Sequence, residues 1–438
     1  MNVIKIKKCG INGEGIGYYK RKPVFVQGCF PLEIVEVQLE DKGKYYIGTL
    51  NKIIKRSKYR LKSKCPYHKQ CGACSLMCLD YNKQLLIKKE ILQESLNKYA
   101  SYDEEIDDVV PSPDIYHYRN KCNLPVVEYH GKLVNALYQY NSNKPVIFDT
   151  CLIHDNKLEQ IRKEVLDTLN KYHYSAYSHK VKKGIRQLII RGFEDEYQLV
   201  IITGNDIIDI DTIEDLKKIK DLVSIYQGIN IIKNPVNYLD ADLKLLSGKE
   251  KIMMKLGKYK MYLSAKAFFQ LNYSQAINIY RKVYDLLENN CQSVIEAYCG
   301  IGAISLFISD KVKEVISIEI VPEAIEDGQE NLKINNINNV EFICDDATKA
   351  IRQLVKNKKI DALIVDPPRT GLDEVLLETI IKSKIKNVIY ISCNPATLAK
   401  DLNVLLKQYN IKYLKGYDMF PNTAHVETVS LMSRVEGK

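Results

Sequence analysis

The 438-residue sequence contains no stretch approaching about 20 uninterrupted apolar residues, so a membrane-spanning helix is not expected. Its opening, MNVIKIKKCG, has lysines with no apolar run behind them, which argues against a secretory signal and makes a cytoplasmic location the expectation. No internal repeat or low-complexity tract stands out, which sets aside repeat architectures. Acidic residues are scarce at the start: residues 1–64 hold fifteen Lys and Arg against five Asp and Glu, and the rest of the chain balances. The whole net charge of +10 therefore sits in the first segment, the electrostatic footprint of a module that binds a polyanion. A lysine-rich solvated surface would give the same count.

The length calls for two or three domains. Residues 1–60 read as short strands punctuated by glycine, with Glu33-Ile34-Val35-Glu36-Val37 alternating as a half-buried strand does. With Tyr18, Tyr19, Tyr45 and Tyr46 expected on a basic surface, they suggest a small OB-type β-barrel that binds nucleic acid by charge and base stacking. Residues 61–250 form a central α+β region: a cysteine-rich connector, a helical stretch with apolar Leu85, Leu86, Ile91 and Leu92, then mixed strands. In residues 251–438 strand-like and helix-like runs alternate, the grammar of a doubly wound, mostly parallel α/β sheet.

The first strand of that last region runs into VIEAYCGIGAISL, where Gly300 and Gly302 open a helix and let a ligand approach the backbone. A dinucleotide fingerprint would continue with glycine at 305, and the chain has Ser305. Glu319 ends the next strand, about 20 residues on, where an acid accepts ribose hydroxyls. Asp345 or Asp346 ends the third, near an adenine. This ordered set fits S-adenosylmethionine (SAM) better than NAD; the bland reading is that Glu319 only caps the following turn. The fourth strand ends in Asp366-Pro367-Pro368, a rigid turn because each proline fixes φ and restricts its predecessor. Arg369 and Gly371 follow, where methyltransferases of exocyclic nitrogens carry an aromatic.

The fifth strand ends at Cys393 in YISCNPATL, on the carboxyl edge where open parallel sheets bind ligands. An inert buried thiol is one reading; a nucleophile is the other. A thiolate there can add to an electrophilic carbon and activate its neighbour, and a base must then remove a proton so that the thiolate can leave. Glu427, in DMFPNTAHVET before a terminal strand, is the candidate base, with His425 taken as structural and Cys299 as packing.

The set FFQLN, AYCGIG, SIE, DPPRTGL, SCNPATLAKD, DMFPNTAHVET and YRNKCNLPV closely resembles the RNA uracil-5-methyltransferase family over nearly the whole chain. The resemblance implies Cys393 as nucleophile and Glu427 as general base. It implies that Gln270, Tyr298, Glu319 and Asp366 line the SAM and target-base site, beside the Gly300 loop. Two positions depart from the family's pattern: Glu296 stands where Asp is usual, and Asn123 where Gln is usual.

Cys65, Cys71, Cys74 and Cys78 lie close enough in CPYHKQCGACSLMC to suit zinc or an iron–sulfur cluster. The resemblance selects a [4Fe–4S] cluster on Cys65, Cys71, Cys74 and the distant Cys151, with Cys78 a bystander; zinc using Cys78 is the alternative. It also makes the barrel a TRAM-type RNA-binding domain. The implied reaction is methylation of uridine C5 in RNA, first in 23S ribosomal RNA and second in the T-loop of transfer RNA, with no DNA or membrane partner. A cytosine-5-methyltransferase and a non-catalytic RNA-binding or ribosome-assembly protein are the competing readings.

Overall fold

The computed structural model describes residues 1–235 and 237–435. Its contacts divide the chain into two compact units: Met1–Pro113, Asp285–Ala297 and Thr348–Lys438 form one, Asp114–Tyr284 and Tyr298–Ala347 the other.

The first unit opens with six strands, Asn2–Lys5, Lys8–Cys9, Gly15–Tyr19, Lys22–Val26, Ile34–Asp41 and Tyr46–Lys55, in the order first-fifth-sixth-fourth-third-second. Alternation in Ile34–Asp41 turns Val35 and Val37 inward, onto Ile4, Ile6, Val24, Val26 and Cys29. Beyond the first strand the chain donates from Lys7 N–H to the Ile16 carbonyl at 2.8 Å, which curls the sheet toward closure. Tyr18 and Tyr45 are exposed as the sequence suggests. Tyr19 and Tyr46 are not: their rings meet edge to face at 5.7 Å and pack against the apolar core.

The connector is fastened to this sheet by buried Glu33, which accepts from Phe30 N–H at 2.9 Å and Arg60 Nε at 2.6 Å. Leu76, Cys78 and Leu79 share a core with Cys9, Phe30, Ile87, Ile91 and Ala424. The helix Tyr81–Ala100 starts on Asp80, whose carboxylate accepts from the Asn82 and Lys83 N–H groups. It packs on the helix Pro395–Leu405.

Three parallel strands, Ser293–Ala297, Ala362–Val365 and Asn387–Ser392, form the heart of the same unit. All their residues are buried, so their apolar residues run on without alternation, interrupted only by Ser293, Glu296, Asn387 and Ser392. Two antiparallel strands extend them, Glu427–Arg434 on Asn387–Ser392 and Tyr409–Tyr417 on Glu427–Arg434.

The second unit contains a seven-stranded mixed sheet running from Leu243–Gly248 at one edge to Pro145–Ile147 at the other, with Ile185–Phe193 and Glu196–Thr203 at its buried centre. The same unit holds the hairpin Lys251–Leu256 and Tyr259–Ser264. It also holds the parallel pair Glu314–Glu319 and Val340–Cys344, joined by the helix Pro322–Ile334. Among the described residues no helix is long and apolar enough to cross a membrane.

Candidate active site

On the thiol side, register does the positioning. Asn387–Ser392 and Glu427–Arg434 pair antiparallel with Ser392 opposite Thr428, so one step further Cys393 comes opposite Glu427. Residues directly opposite in such a ladder project to the same face. The Cys393 turn is built by its neighbours. Ser392 Oγ takes the Asn394 N–H at 3.2 Å, and Asn394 Oδ1 caps the helix Pro395–Leu405 through Ala396 N–H at 3.1 Å. Asn394 Nδ2 and Thr397 Oγ1 both donate to the Arg369 carbonyl, at 3.0 and 3.3 Å, which ties this turn to the Asp366-Pro367-Pro368-Arg369 turn.

Asp401 finishes the scaffold. Its Oδ2 accepts from Leu372 N–H at 2.9 Å and from the fully buried Tyr390 hydroxyl at 2.7 Å. Gly371, at φ +81°, passes so close that an added Cβ would stand 2.6 Å from that oxygen. The conformation and the space both demand glycine.

Four groups here feel each other's charge. Burial, then the Glu427 and Asp366 carboxylates, push the Cys393 thiol up, while Arg369 pulls it down. Burial followed by the Asp366 charge holds the Glu427 carboxyl well above the usual range. Burial pushes Asp366 up to about 7. Raised carboxyls such as these cluster at functional sites, because acids and bases need pKa values near the working pH; at the thiol, Arg369 is the group that opposes the rise. His425 is exposed, with its ring edge-on to Phe420.

The cofactor-side residues belong to the second unit. Tyr298, Gly300 and Gly302 take positive φ values of 61°, 54° and 74°. An aromatic residue in the left-handed region costs about 1–2 kcal/mol and is kept where function calls for it. A Cβ on Gly300 would meet nothing within 4 Å, whereas one on Gly302 would lie 2.5 Å from Phe342. Gly302 is therefore needed for packing, and the space beside Gly300 is open for a ligand. Glu319 does two jobs: Oε2 accepts from Gly300 N–H at 2.9 Å, and Oε1 caps the next turn through the Ile320 and Val321 N–H groups at 2.9 and 3.0 Å. Asp345 follows the adjacent strand and donates its N–H to the Glu319 carbonyl at 3.2 Å. A glycine loop with an open Cβ side and a carboxylate fixed beside it suits the ribose and amino-acid ends of SAM.

Two motifs far apart in sequence meet in this unit. Asn120 of YRNK donates its side-chain N–H to the Gln270 carbonyl at 3.0 Å, and its backbone N–H to the Leu271 carbonyl at 3.0 Å. Next to it, Lys121 is pushed down to about 8 by burial and by Arg191. Sequence reading passed over this lysine; its place inside YRNK was the available signal.

The metal expectation finds no support in the geometry. Among the described residues no group of three or more His, Cys, Asp or Glu is placed to hold a metal ion. Cys65, Cys71, Cys74 and Cys151 are each partly exposed. Cys78, the thiol on which the zinc alternative relies, is buried in the apolar cluster with Phe30 and Leu76.

A family model described as tRNA (Uracil-5-)-methyltransferase matches residues 80–435. The chain belongs to this family. An uncharacterized RNA methyltransferase of Bacillus anthracis is 37% identical over 439 residues, covering 97% of this chain and 95% of the relative. One from Listeria innocua is 37% identical over 445 residues, covering 98% and 97%. Among solved structures, the crystal structure of Pyrococcus abyssi tRNA (uracil-54, C5)-methyltransferase in complex with S-adenosyl-L-homocysteine superposes with a TM-score of 0.80. It has 27% identity, over 98% of this chain and 99% of that one. The fold is that of a SAM-dependent methyltransferase, and the family's activity, RNA uracil-5-methylation with SAM, is the activity of this chain.

Proposed function

We propose that the protein methylates a uridine at C5 in 23S ribosomal RNA through a covalent adduct on Cys393. The observation that carries this reading is the strand register that brings Cys393 opposite Glu427, beside Asp366 and Arg369. The Cys393 thiolate adds to C6 of the uracil, and the ring electrons move to C5 and O4 to give an enolate-like carbon. SAM, when bound, supplies the methyl group to that carbon. Glu427 then takes the C5 proton, the C5–C6 double bond re-forms, and the C6–S bond breaks to return the thiolate. Arg369 favours the thiolate, and the twice-proline turn fixes Asp366 within reach of the same charges. Gly300, Tyr298, Glu319 and Gln270 are the residues assigned to SAM and the target base.

The barrel, residues 1–60, is assigned as a TRAM-type RNA-binding domain, supported by its excess positive charge and by exposed Tyr18 and Tyr45. Residues 61–250 and 251–438 are the central and catalytic domains of this reading. The choice of ribosomal RNA follows the resemblance to barrel-bearing, cluster-bearing family members. Transfer RNA at its T-loop is the second reading, favoured by the likeness to an enzyme whose name specifies tRNA uracil-54. The [4Fe–4S] cluster on Cys65, Cys71, Cys74 and Cys151 is carried by the resemblance alone, and no step runs through it. Anaerobically purified protein should then contain iron and acid-labile sulfide; protein without either contradicts the cluster.

The substrate is tested with 5-fluorouridine-substituted RNA and SAM. Fluorine blocks proton abstraction, so the enzyme stalls while bonded to its target. A denaturation-resistant adduct with 23S RNA supports the first reading; one with transfer RNA alone supports the second.

A further inference from the structure

The helix Tyr81–Ala100 carries polar groups where an amphipathic helix would turn apolar ones inward. Lys88 and Asp418 are both fully buried and form an ion pair. The Lys88 ammonium also donates to the Phe420 carbonyl at 3.0 Å. Asp418 Oδ2 accepts from the Tyr81 hydroxyl at 2.8 Å, and that hydroxyl oxygen takes the Ser112 N–H at 2.9 Å. Gln84 grips the middle of the same loop: Oε1 accepts from Asn422 N–H at 2.9 Å, and Nε2 donates to Asn422 Oδ1 at 3.3 Å. From the connector, Leu76 N–H donates to the Asn422 carbonyl at 2.9 Å. Tyr81, Gln84 and Lys88 are spaced i, i+3 and i+7, one face of a helix. The loop from 418 to 426 hangs on that face.

An ion pair in such a place is a poor source of stability, because both charges lose their water and apolar replacements of similar volume are often as stable or more so. What it supplies is direction. Asp418 follows Tyr417, and Tyr417 is the ladder partner of Glu427. The loop held by Lys88 and Gln84 ends at Val426, so both of its ends border the base. We propose that Lys88, acting through Asp418, is a positioning residue for proton abstraction: it fixes the loop that seats Glu427 against the C5 hydrogen of the methylated adduct. This rests on the assignment of Glu427 as the base.

The test compares K88M, the double variant K88M/D418L and wild type on two RNAs, ordinary and 5-fluorouridine-substituted, each with SAM. A misplaced base leaves thiol addition and methyl transfer intact and slows only the release step. Turnover on ordinary RNA should fall about 10²-fold, the cost of roughly 1 Å of misplacement at a reacting group. A covalent, methylated adduct should accumulate on ordinary RNA, which wild type does not show, while trapping by the fluorinated RNA keeps its wild-type rate. The double variant removes both buried charges, so it folds stably and shows the same accumulation. Y81F, which removes one hydrogen bond to Asp418, should show a smaller accumulation. Wild-type turnover in the double variant would overturn the proposal, since the pair would then matter only for folding. Equal loss of trapping and turnover in a folded variant would overturn it too. Failure of wild type to form any adduct with the fluorinated RNA would instead bring down the covalent reading on which it rests.

Discussion

Around Gly300 the shaping groups are backbone: three positive φ angles, an open Cβ side, and a Glu319 carboxylate held by N–H donors. Around Cys393 they are side chains whose charges disturb one another, with the thiol and two carboxyls all pushed up. The first arrangement suits recognition, since a rigid loop binds a ligand without changing protonation. The second suits chemistry, since the raised carboxyls can take up a proton and Arg369 opposes the rise at the thiol. Substitutions should therefore act on affinity in one region and on rate and pH dependence in the other.

The largest effect is expected from C393A, which removes the thiol proposed as nucleophile: turnover and adduct should both fall below detection in a chain that melts like wild type. Next comes R369A. Arg369 pulls the Cys393 thiol down, so its loss lowers the thiolate fraction at fixed pH. Adduct formation at neutral pH should drop about tenfold and recover as the pH is raised. G300A belongs to the other region. The new Cβ touches no protein atom, so the fold should lose only about 1 kcal/mol of left-handed strain. The SAM KM should rise with kcat and its pH profile unchanged; a shifted pH profile would break the distinction between the regions.

The smallest effect is on stability. The Asp366 carboxyl sits at about 7 in the folded chain, against about 3.9 when unfolded. Its raised pKa contributes stability that is full below pH ~4 and lost as the pH rises through about 7. At pH 8 the native state holds a half-buried carboxylate that D366N removes, so D366N should be more stable there by roughly 1–3 kcal/mol and indistinguishable near pH 4. Melting curves at both pH values check the sign.

Cys393, Glu427 and the proline turn stood out in the sequence as candidates because each lies at a strand end inside a short local signature. The residues that hold them were not. Asp401 works on Leu372 and Tyr390, and Asn394 and Thr397 on the Arg369 carbonyl, bonds between segments that no periodicity connects. The helix Tyr81–Ala100 was legible in part: Ile91 and Leu92 are buried, but Leu86 is 44% exposed while Lys88 is fully buried, because a polar network shares the inward face with the apolar residues. Tyr19 and Tyr46 were expected on the surface with Tyr18 and Tyr45, but strand alternation sends one of each neighbouring pair to the core.

The most direct measurement is peptide mapping of E427Q after incubation with SAM and unmodified RNA. The amide cannot take the C5 proton, so the expected result is a methylated uridine bonded to the Cys393 peptide, with product formation lowered about 10²–10⁴-fold. Wild-type turnover in E427Q, or a nucleotide attached to any residue other than Cys393, would contradict the pairing of thiol and base at the centre of this site.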